Sequence, residues 1–232
     1  MNELTSSLKK ILSNHGADLV GIGDLSKVQP DARKNMPNGI CVAIAIKPDI
    51  IKGIEKAPTN EYFNAYHELN AKLDELILLG TEYLHKLGYE AFPQTRAIVS
   101  ENQTEYSSIL PHKTIATRAG IGWIGKCALL VTKYYGSAIR ISSILTNAPL
   151  DTDSPINKSF CGECMICTRA CPAQAVKGIN WSVKAIREEI FDPVKCRRTA
   201  RAISKEVLGE EITLCGKCIE VCPYTQAYIN KN

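Results

Sequence analysis

Several features are missing from this 232-residue chain, and each absence excludes a class of protein. No apolar run approaches the roughly 18 residues that a membrane-spanning helix needs. The opening stretch MNELTSSLKKILSNHG has neither the apolar core of a signal peptide nor a twin-arginine pair, so we expect a cytoplasmic protein without a membrane partner. Internal repeats and low-complexity tracts are also absent, which excludes repeat and fibrous architectures.

Cysteine, by contrast, is abundant and unevenly placed. Eight of the ten Cys residues lie in the last third of the chain, where a cytoplasmic setting favours metal or redox chemistry over disulfides. The first run, CGECMICTRACP, has the spacing C-x2-C-x2-C-x3-C-P, and the second, CGKCIEVCP, has C-x2-C-x3-C-P. This spacing is typical of two-cluster ferredoxins, in which the last Cys of each run binds the other cluster.

The pattern predicts two [4Fe-4S] clusters and a ligand set for each. The first cluster set is Cys161, Cys164, Cys167 and Cys222, and the second cluster set is Cys171, Cys196, Cys215 and Cys218. Cys196 lies outside both runs, but the second run has only three Cys and no other Cys remains in this region. The alternative is a pair of zinc sites, which often include His, yet all four His residues lie earlier in the chain.

The net charge of +4 falls entirely in the Cys-rich region. Residues 1–155 have 16 basic and 16 acidic residues, whereas residues 156–232 have 12 basic and 8 acidic ones. A basic surplus can attract nucleic acid. Two clusters, each contributing about −2 with its four thiolates, would however neutralise it.

Hydrophobic patterning predicts two domains in an α+β chain. Residues 1–155 form an α/β domain with a first helix that begins after Asn2 and ends near Gly16, buried strands at residues 18–23 and 39–46, and a long helix over 60–87. We further predict short strands at 89–92 and 95–100, a helix at 111–119, and strands at 127–132 and 139–145. The Pro-, Asp- and Ser-rich stretch 147–159 is the predicted boundary, and the cluster domain, residues 156–232, has helices at 182–189 and 200–208.

A second motif, AGIGWIGK, lies in the first domain. Its Gly122 and Gly125 flank Trp123 and would let the backbone approach a flat partner, while Lys126 could donate to an amide, a phosphate or another anion. It does not have the G-x-G-x-x-G spacing before a helix, so we do not predict a dinucleotide fold. By itself such a turn is more often merely a tight connection.

In combination, these motifs resemble the epoxyqueuosine reductase family and, more distantly, the reductive dehalogenases. The resemblance extends from about Ala91 to Gln226 and depends on AGIGWIGK, YGSAIRISSILTNAPL, both Cys runs and the isolated Cys196 after DPVK. It implies a nitroreductase-like α/β cobalamin-binding domain followed by a two-cluster ferredoxin-like domain. It also implies that Gly122, Trp123, Gly125, Lys126 and Ser137 bind cobalamin, and that Cys196 completes the second cluster set.

The resemblance further implies an oxidoreductase. Electrons from a low-potential donor such as ferredoxin or flavodoxin would pass through the clusters to a base-off cobalamin, and a nearby acid would protonate the substrate. The family has an Asp before its Gly-rich motif, and ungapped counting places Tyr106 at that position. Glu101 and Glu105 are rivals, and His112 replaces a Glu of the family.

Three functions stay open at this point. The first is a cobalamin-dependent reductase of a small or unidentified substrate. The second is an electron-transfer protein that reduces a partner, such as a corrinoid protein, without binding cobalamin itself. The third is a shortened epoxyqueuosine reductase: the chain ends ten residues after Cys222, without the family's C-terminal helical-repeat region, so a tRNA partner is doubtful.

Two Cys residues remain outside the predicted ligand sets. Cys41 lies in an apolar strand and is predicted to be a small core residue. Cys127 directly follows AGIGWIGK, so it either faces a site or is buried in the core, and we favour the core.

Overall fold

A computed structural model describes residues 2–99, 102, 104 and 106–231 of the chain. The chain divides into two compact units, each built from three separate segments. The first contains Met1–Ile44, Leu69–Gly122 and Arg140–Ile156, and the second contains Ala45–Glu68, Trp123–Ile139 and Asn157–Asn232. These units alternate along the sequence, and the division into domains 1–155 and 156–232 stays a proposal.

The described residues contain nine helices and six strands. The helices are α1 (Glu3–Asn14), α2 (Pro48–Gly53), α3 (Asn60–Lys86), α4 (His112–Arg118), α5 (Ile166–Ala170), α6 (Arg187–Ile190), α7 (Pro193–Leu208), α8 (Lys217–Glu220) and α9 (Pro223–Ile229). The strands are β1 (Leu19–Asp24), β2 (Asn38–Ala45), β3 (Ala91–Gln94), β4 (Trp123–Ile124), β5 (Leu130–Val131) and β6 (Ile139–Thr146). None of the described helices is both long and apolar enough to cross a membrane.

A four-stranded sheet in the order β1-β2-β6-β3 organises the first unit. Strands β1 and β2 are antiparallel, with Gly21 opposite Cys41, and β3 pairs antiparallel with β6, with Gln94 opposite Ser143. The middle of β2 is buried continuously, which explains its uninterrupted apolar sequence. Apolar side chains of α1, α3 and the sheet form the core: Leu8, Leu12, Ile22, Ile40, Val42, Leu73, Leu76, Ile77, Leu84 and Ile144.

The first helix begins and ends where the sequence predicts. The Asn2 side chain accepts a hydrogen bond from the Thr5 backbone N–H at 2.8 Å, which satisfies one of the free donors at the start of α1. After α1, Gly16 adopts a φ of +107°, a conformation that side chains with a Cβ rarely adopt. Asn2 and Gly16 therefore act as the predicted start and stop signals.

Residues 95–99 do not form the strand predicted for 95–100. The Ile98 and Val99 backbone N–H groups both donate to the Thr95 carbonyl, at 3.0 Å each, so the chain turns there. Pro93 lies inside β3 and does not separate two strands. It is tolerated there because β3 is an edge strand, where a missing N–H breaks no ladder. Ser100, at the end of the predicted strand, lies outside the described residues.

The helices between the two Cys runs also differ from the prediction. Only Arg187–Ile190 is helical in the region of the predicted helix 182–189. Helix α7 begins at Pro193, seven residues before the predicted start at 200, because the Asp192 side chain caps it by accepting from the Lys195 N–H at 2.9 Å. This Asp-Pro pair was a visible start signal. The predicted strand 127–132 is likewise reduced to Leu130–Val131.

Part of the stretch predicted to be a linker is fixed to the first unit. The Asp153 carboxylate accepts from the Ile22 N–H at 2.8 Å and forms an ion pair with Lys9 at 2.8 Å. The Asp153 N–H in turn donates to the Ile22 carbonyl at 2.7 Å. These bonds, one to the Asp153 side chain and one from its backbone, fix residue 153 beside residue 22.

Candidate functional site

A cavity of about 180 Å³ lies in the second unit and is surrounded by thiols. All four Cys residues of the first cluster set line it, and the rest of its wall is mostly apolar. The lining residues are Gly125, Lys126, Cys127, Val131, Phe160, Cys161, Cys164, Cys167, Cys218, Cys222, Pro223 and Tyr224. Four thiols around one small cavity match the donor set of a cubane cluster, so these residues fit a [4Fe-4S] group.

Short local structures direct these four thiols into the cavity. The Cys164 N–H donates to the Cys161 carbonyl at 3.1 Å, and the intervening Gly162 has a φ of +53°, so the first two Cys lie on one tight turn. Cys167 follows on α5, while Cys222 immediately precedes α9, whose first residue is Pro223. The C-P pair therefore places a thiol at a helix start.

The structure also brings together three members of the second cluster set. Burial is the largest of the causes that raise the pKa of Cys196 to about 11, followed by the neighbouring thiols of Cys171 and Cys215 and then by the Asp192 carboxylate. Burial likewise raises the pKa of Cys215, whose thiol is also near Cys171. Cys196, the isolated Cys, thus lies beside two Cys residues from different runs. The fourth member, Cys218, lines the first cavity, and its assignment to the second cluster stays a prediction.

Cys127 is both buried and part of the site. It is 5% exposed and lines the cavity, within hydrogen-bonding contact of Cys167 and Cys218. The bond to Cys167 lowers the pKa of Cys127, but the bond to Cys218 and burial prevail and raise that pKa well above its ordinary value. The sequence allowed either a buried core position or a position at a site for Cys127, and the structure shows that Cys127 has both properties. Cys41 is fully buried in β2, as predicted, and burial alone raises the pKa of its thiol.

The segment GWIGK, residues 122–126, is called the Gly-Trp-Gly-Lys turn below, and its Gly125 and Lys126 line the same cavity. The Trp123 ring contacts the rings of Phe160 and Tyr224 edge to face, with centroids 5.1 and 4.8 Å apart. A Cβ on Gly125 would lie only 2.8 Å from a side-chain carbon of Val131, so a larger residue there would force Val131 to shift, whereas the Cys161 sulfur would be at an ordinary contact distance of 3.6 Å. Phe160 and Tyr224 flank the Cys runs in the sequence, which was the only signal for their role.

Two of the residues expected to bind cobalamin have buried polar atoms without partners. The Trp123 indole N–H and the Ser137 hydroxyl have no hydrogen-bond partner among the described residues. The Ser137 backbone N–H, by contrast, donates to the Thr225 hydroxyl at 3.1 Å. Buried polar groups normally have partners, so these two atoms are compatible with an amide-bearing cofactor. The cobalamin role of Gly122, Trp123, Gly125, Lys126 and Ser137 stays a prediction.

The two candidate acids both lie in the first unit. Tyr106 has a φ of +52°, and its N–H donates to the Asn102 carbonyl at 2.7 Å within a turn closed by the Asn102–Ser107 bridge. A residue other than Gly in this backbone region is uncommon, and such residues often occur at functional sites. The rivals Glu101 and Glu105 lie outside the described residues.

His112 is the first residue of α4 and is held by β6. One of its ring nitrogens, Nδ1, lies 2.8 Å from the hydroxyl oxygen of Ser143, a fully buried residue. Burial lowers the pKa of His112 from 6.5 to about 4, with Arg140 acting in the same direction and Asp74 opposing both. The imidazole is therefore neutral at neutral pH, so it can exchange a hydrogen bond but does not supply an imidazolium proton.

Comparison with known proteins supports the cluster site. Residues 160–225 match the family model of the 4Fe-4S double cluster binding domain. The chain is 31% identical over 155 residues to an epoxyqueuosine reductase from Listeria monocytogenes, and the match covers 67% of this chain and 38% of that protein. The chain thus spans about two fifths of the length of this curated relative.

Solved structures share the fold. A catabolic reductive dehalogenase has a TM-score of 0.72 at 18% identity, covering 94% of this chain and 31% of the other. Epoxyqueuosine reductase from Bacillus subtilis has a TM-score of 0.65 at 20% identity, covering 97% of this chain and 66% of the other. The predicted family resemblance, the α+β fold class and the double [4Fe-4S] domain are therefore confirmed.

Proposed function

We propose that this epoxyqueuosine reductase-like chain is a cobalamin-dependent reductase that receives electrons through two [4Fe-4S] clusters. The observation that carries the proposal is the thiol-lined cavity beside the Gly-Trp-Gly-Lys turn. Four thiols alone would suffice for an electron-transfer protein. The buried Trp123 N–H and Ser137 hydroxyl, which lack partners among the described residues, favour a second group bound next to the clusters.

When bound, cobalamin would supply a strongly reducing cobalt centre. The chain's own residues would hold that group and deliver a proton. In this proposal the Trp123 N–H and the Ser137 hydroxyl bond polar groups of the cofactor, and Tyr106 donates the proton through its phenol. Neutral His112, held by Ser143, orients a substrate group by a hydrogen bond.

For the substrate, we propose reduction of epoxyqueuosine in tRNA as the first reaction to test. The support is that the curated relatives are epoxyqueuosine reductases. One solved structure of similar fold is, moreover, an epoxyqueuosine reductase with an epoxyqueuosine-modified tRNA stem loop. A low-potential ferredoxin or flavodoxin, in a cytoplasmic setting, is the proposed electron donor.

Cobalamin binding is the decisive experiment. The reconstituted protein is mixed anaerobically with cob(II)alamin, and its absorbance and paramagnetic resonance spectra are recorded after gel filtration. We expect cobalamin to co-elute with the protein and to show a base-off spectrum. If it elutes free with an unchanged spectrum, the chain is instead an electron-transfer protein that reduces a separate partner.

The substrate has its own test. The chain is expressed in a strain that lacks epoxyqueuosine reductase, and tRNA nucleosides are analysed by mass spectrometry. Queuosine should appear in place of epoxyqueuosine. Unchanged epoxyqueuosine, in cells where the protein is loaded with both clusters and cobalamin, would restrict the proposal to another substrate.

A further inference from the structure

Lys126 is a buried cation without a counter-charge. It is 3% exposed, and its Nζ lies 3.5 Å from the thioether sulfur of Met165, which is neutral and a weak acceptor. Among the described residues, no carboxylate lies within ion-pair distance of this ammonium. Lys is almost never fully buried unless it is paired, so a partner that the described atoms do not include is required.

The thiol-lined cavity is a suitable site for such an anionic partner. Lys126 lines it together with all four thiols of the first cluster set, in a mostly apolar wall. A cubane held by four thiolates has a net charge of about −2, and reduction adds another negative charge. An ammonium fixed nearby in a medium of low dielectric stabilises the reduced form more than the oxidised form.

The second cluster set has different electrostatic surroundings. The Asp192 carboxylate acts on Cys196, so a negative charge lies near that set. The cation near Cys215 is Lys217, which is partly exposed and is neutralised by an ion pair with Glu220 at 2.7 Å. Among the described residues, Lys126 thus shares its cavity with all four thiols of the first set but with only Cys218 of the second.

We propose that the Lys126 ammonium is the built-in counter-ion of the first cluster and raises its reduction potential above that of the second. Electrons would then collect on the first cluster, beside the Gly-Trp-Gly-Lys turn. This inference depends on the proposed function only in that both clusters must be present. It differs from the cobalamin role that the family resemblance implies for Lys126.

The test is a redox titration of the reconstituted protein, followed by paramagnetic resonance. In Lys126→Met, we expect the one-electron equilibrium of the first cluster to shift at least tenfold toward the oxidised form, which is about 59 mV more negative. The second cluster should not change. Lys133→Met is the matched control, because Lys133 is exposed and its charge is screened by solvent and salt. Cys196→Ala, with only the first cluster, assigns the signals.

The outcomes separate the inference from the proposed function. Iron and sulfide analysis comes first: a wild-type protein without clusters contradicts the proposed function itself. If both clusters assemble and Lys126→Met keeps the wild-type potential, the inference is overturned. If Lys126→Met loses cobalamin binding while the potential of the first cluster is unchanged, the inference is also overturned, and Lys126 is then assigned to cobalamin binding.

Two further measurements cover the case in which Lys126→Met fails to assemble the first cluster. Lys126→Arg keeps the charge and should keep the equilibrium within about a factor of three of wild type; a shift as large as tenfold counts against the proposal. In the unmodified protein, the first cluster should have the higher potential of the two. Equal potentials, or the reverse order, overturn the inference without any variant.

Discussion

At the scale of single residues, burial decides which candidate acid can supply a proton. His112 and Tyr106 were both candidates in the sequence, since both replace carboxylates of the family. The buried imidazole of His112, held by Ser143, has a pKa lowered to about 4, so it has no proton to give as an imidazolium at neutral pH. This favours the Tyr106 phenol, which the turn around Asn102 presents in a left-handed backbone conformation.

Replacing Tyr106 by Phe tests this assignment. We expect Tyr106→Phe to reduce turnover about 100-fold or more, the usual contribution of general acid catalysis, because the ring stays and only the proton is lost. Cluster content and cobalamin binding should equal those of wild type. The control is His112→Gln, which keeps a hydrogen bond and should lose less. Wild-type turnover in Tyr106→Phe would remove this residue from the mechanism.

The lowered pKa of His112 also predicts how stability depends on pH. The unfolded imidazole takes up a proton below about pH 6.5, whereas the folded one resists until about 4. Stability is therefore full above pH 6.5 and is lost as the pH falls toward 4. Between about pH 7.5 and about pH 5.5 the His112 contribution should fall by about 1 kcal/mol. Urea unfolding of wild type and His112→Gln checks this: parallel pH curves would contradict it.

At the scale of elements, the N-terminus of α7 places Cys196 beside two other members of the second cluster set. Asp192 caps this helix, and the Cys196 N–H makes one of its first bonds, to the Asp192 carbonyl at 3.2 Å. A Cys in the first turn of a capped helix has a fixed direction, and here its thiol lies near Cys171 and Cys215. The helix is therefore predicted to supply the ligand that the second Cys run lacks.

Removing this thiol should remove one cluster and leave the other. We expect Cys196→Ala to contain about half the iron and sulfide of wild type, because four thiolates are needed to complete each cube. Cys41→Ala is the control, since Cys41 is buried in β2, and it should retain both clusters. Full iron content in Cys196→Ala would show that another residue completes the second cluster.

The turn before Ser137 depends on Gly136 both for its backbone conformation and for its close approach to α9. Gly136 has a φ of +56°, and a Cβ there would collide with the backbone nitrogen of Thr225. Gly209 has a similar φ of +76° but open space around it. We expect Gly209→Ala to lower the free energy of unfolding by about 1–2 kcal/mol, from backbone strain alone, and Gly136→Ala to lower it by clearly more. Chemical denaturation would show this difference, and equal losses would contradict the predicted collision.

At the scale of the whole molecule, the clusters decide the net charge. The chain alone has a formal charge of +4, all of it contributed by residues 156–232. Each cluster with its thiolates contributes about −2, so the loaded protein is close to neutral. The basic surplus is thus matched to the cofactors, and a tRNA substrate would have to be bound by local patches and not by the overall charge.

This balance can be measured by native electrophoresis under anaerobic conditions. The loaded protein should migrate as a species about four charges more negative than the cluster-free chain, and Cys196→Ala should lie halfway between them. Identical mobilities of the loaded and cluster-free proteins, at equal compactness by gel filtration, would contradict the predicted charge balance.

Local spacing was enough to predict ligand sets, whose members the structure places near one another in part. The runs from Cys161 to Cys171 and from Cys215 to Cys222 specify thiols on short turns. The isolated Cys196 in the same region was then the one remaining candidate for the last ligand position. Helix N-caps were equally predictable from the sequence, as Asn2 shows for α1. The Asp192-Pro193 pair also marks a helix start in the sequence, although the predicted helix began later. Such signals act within a few residues, so they can be recognised in the sequence without knowledge of the fold.

The sequence by itself determined the donor atoms: eight thiols, their predicted partition into two sets by spacing, and a Gly-rich turn. Only the tertiary structure decided that Lys126 and Cys127 line the first cavity, that Cys218 does so as well, and that His112 is neutral. The physical reason is that burial and the charge around a buried atom are produced by residues distant in sequence. Spacing determines which atoms can bind a metal, but the packing around them determines their charge and their reduction potential.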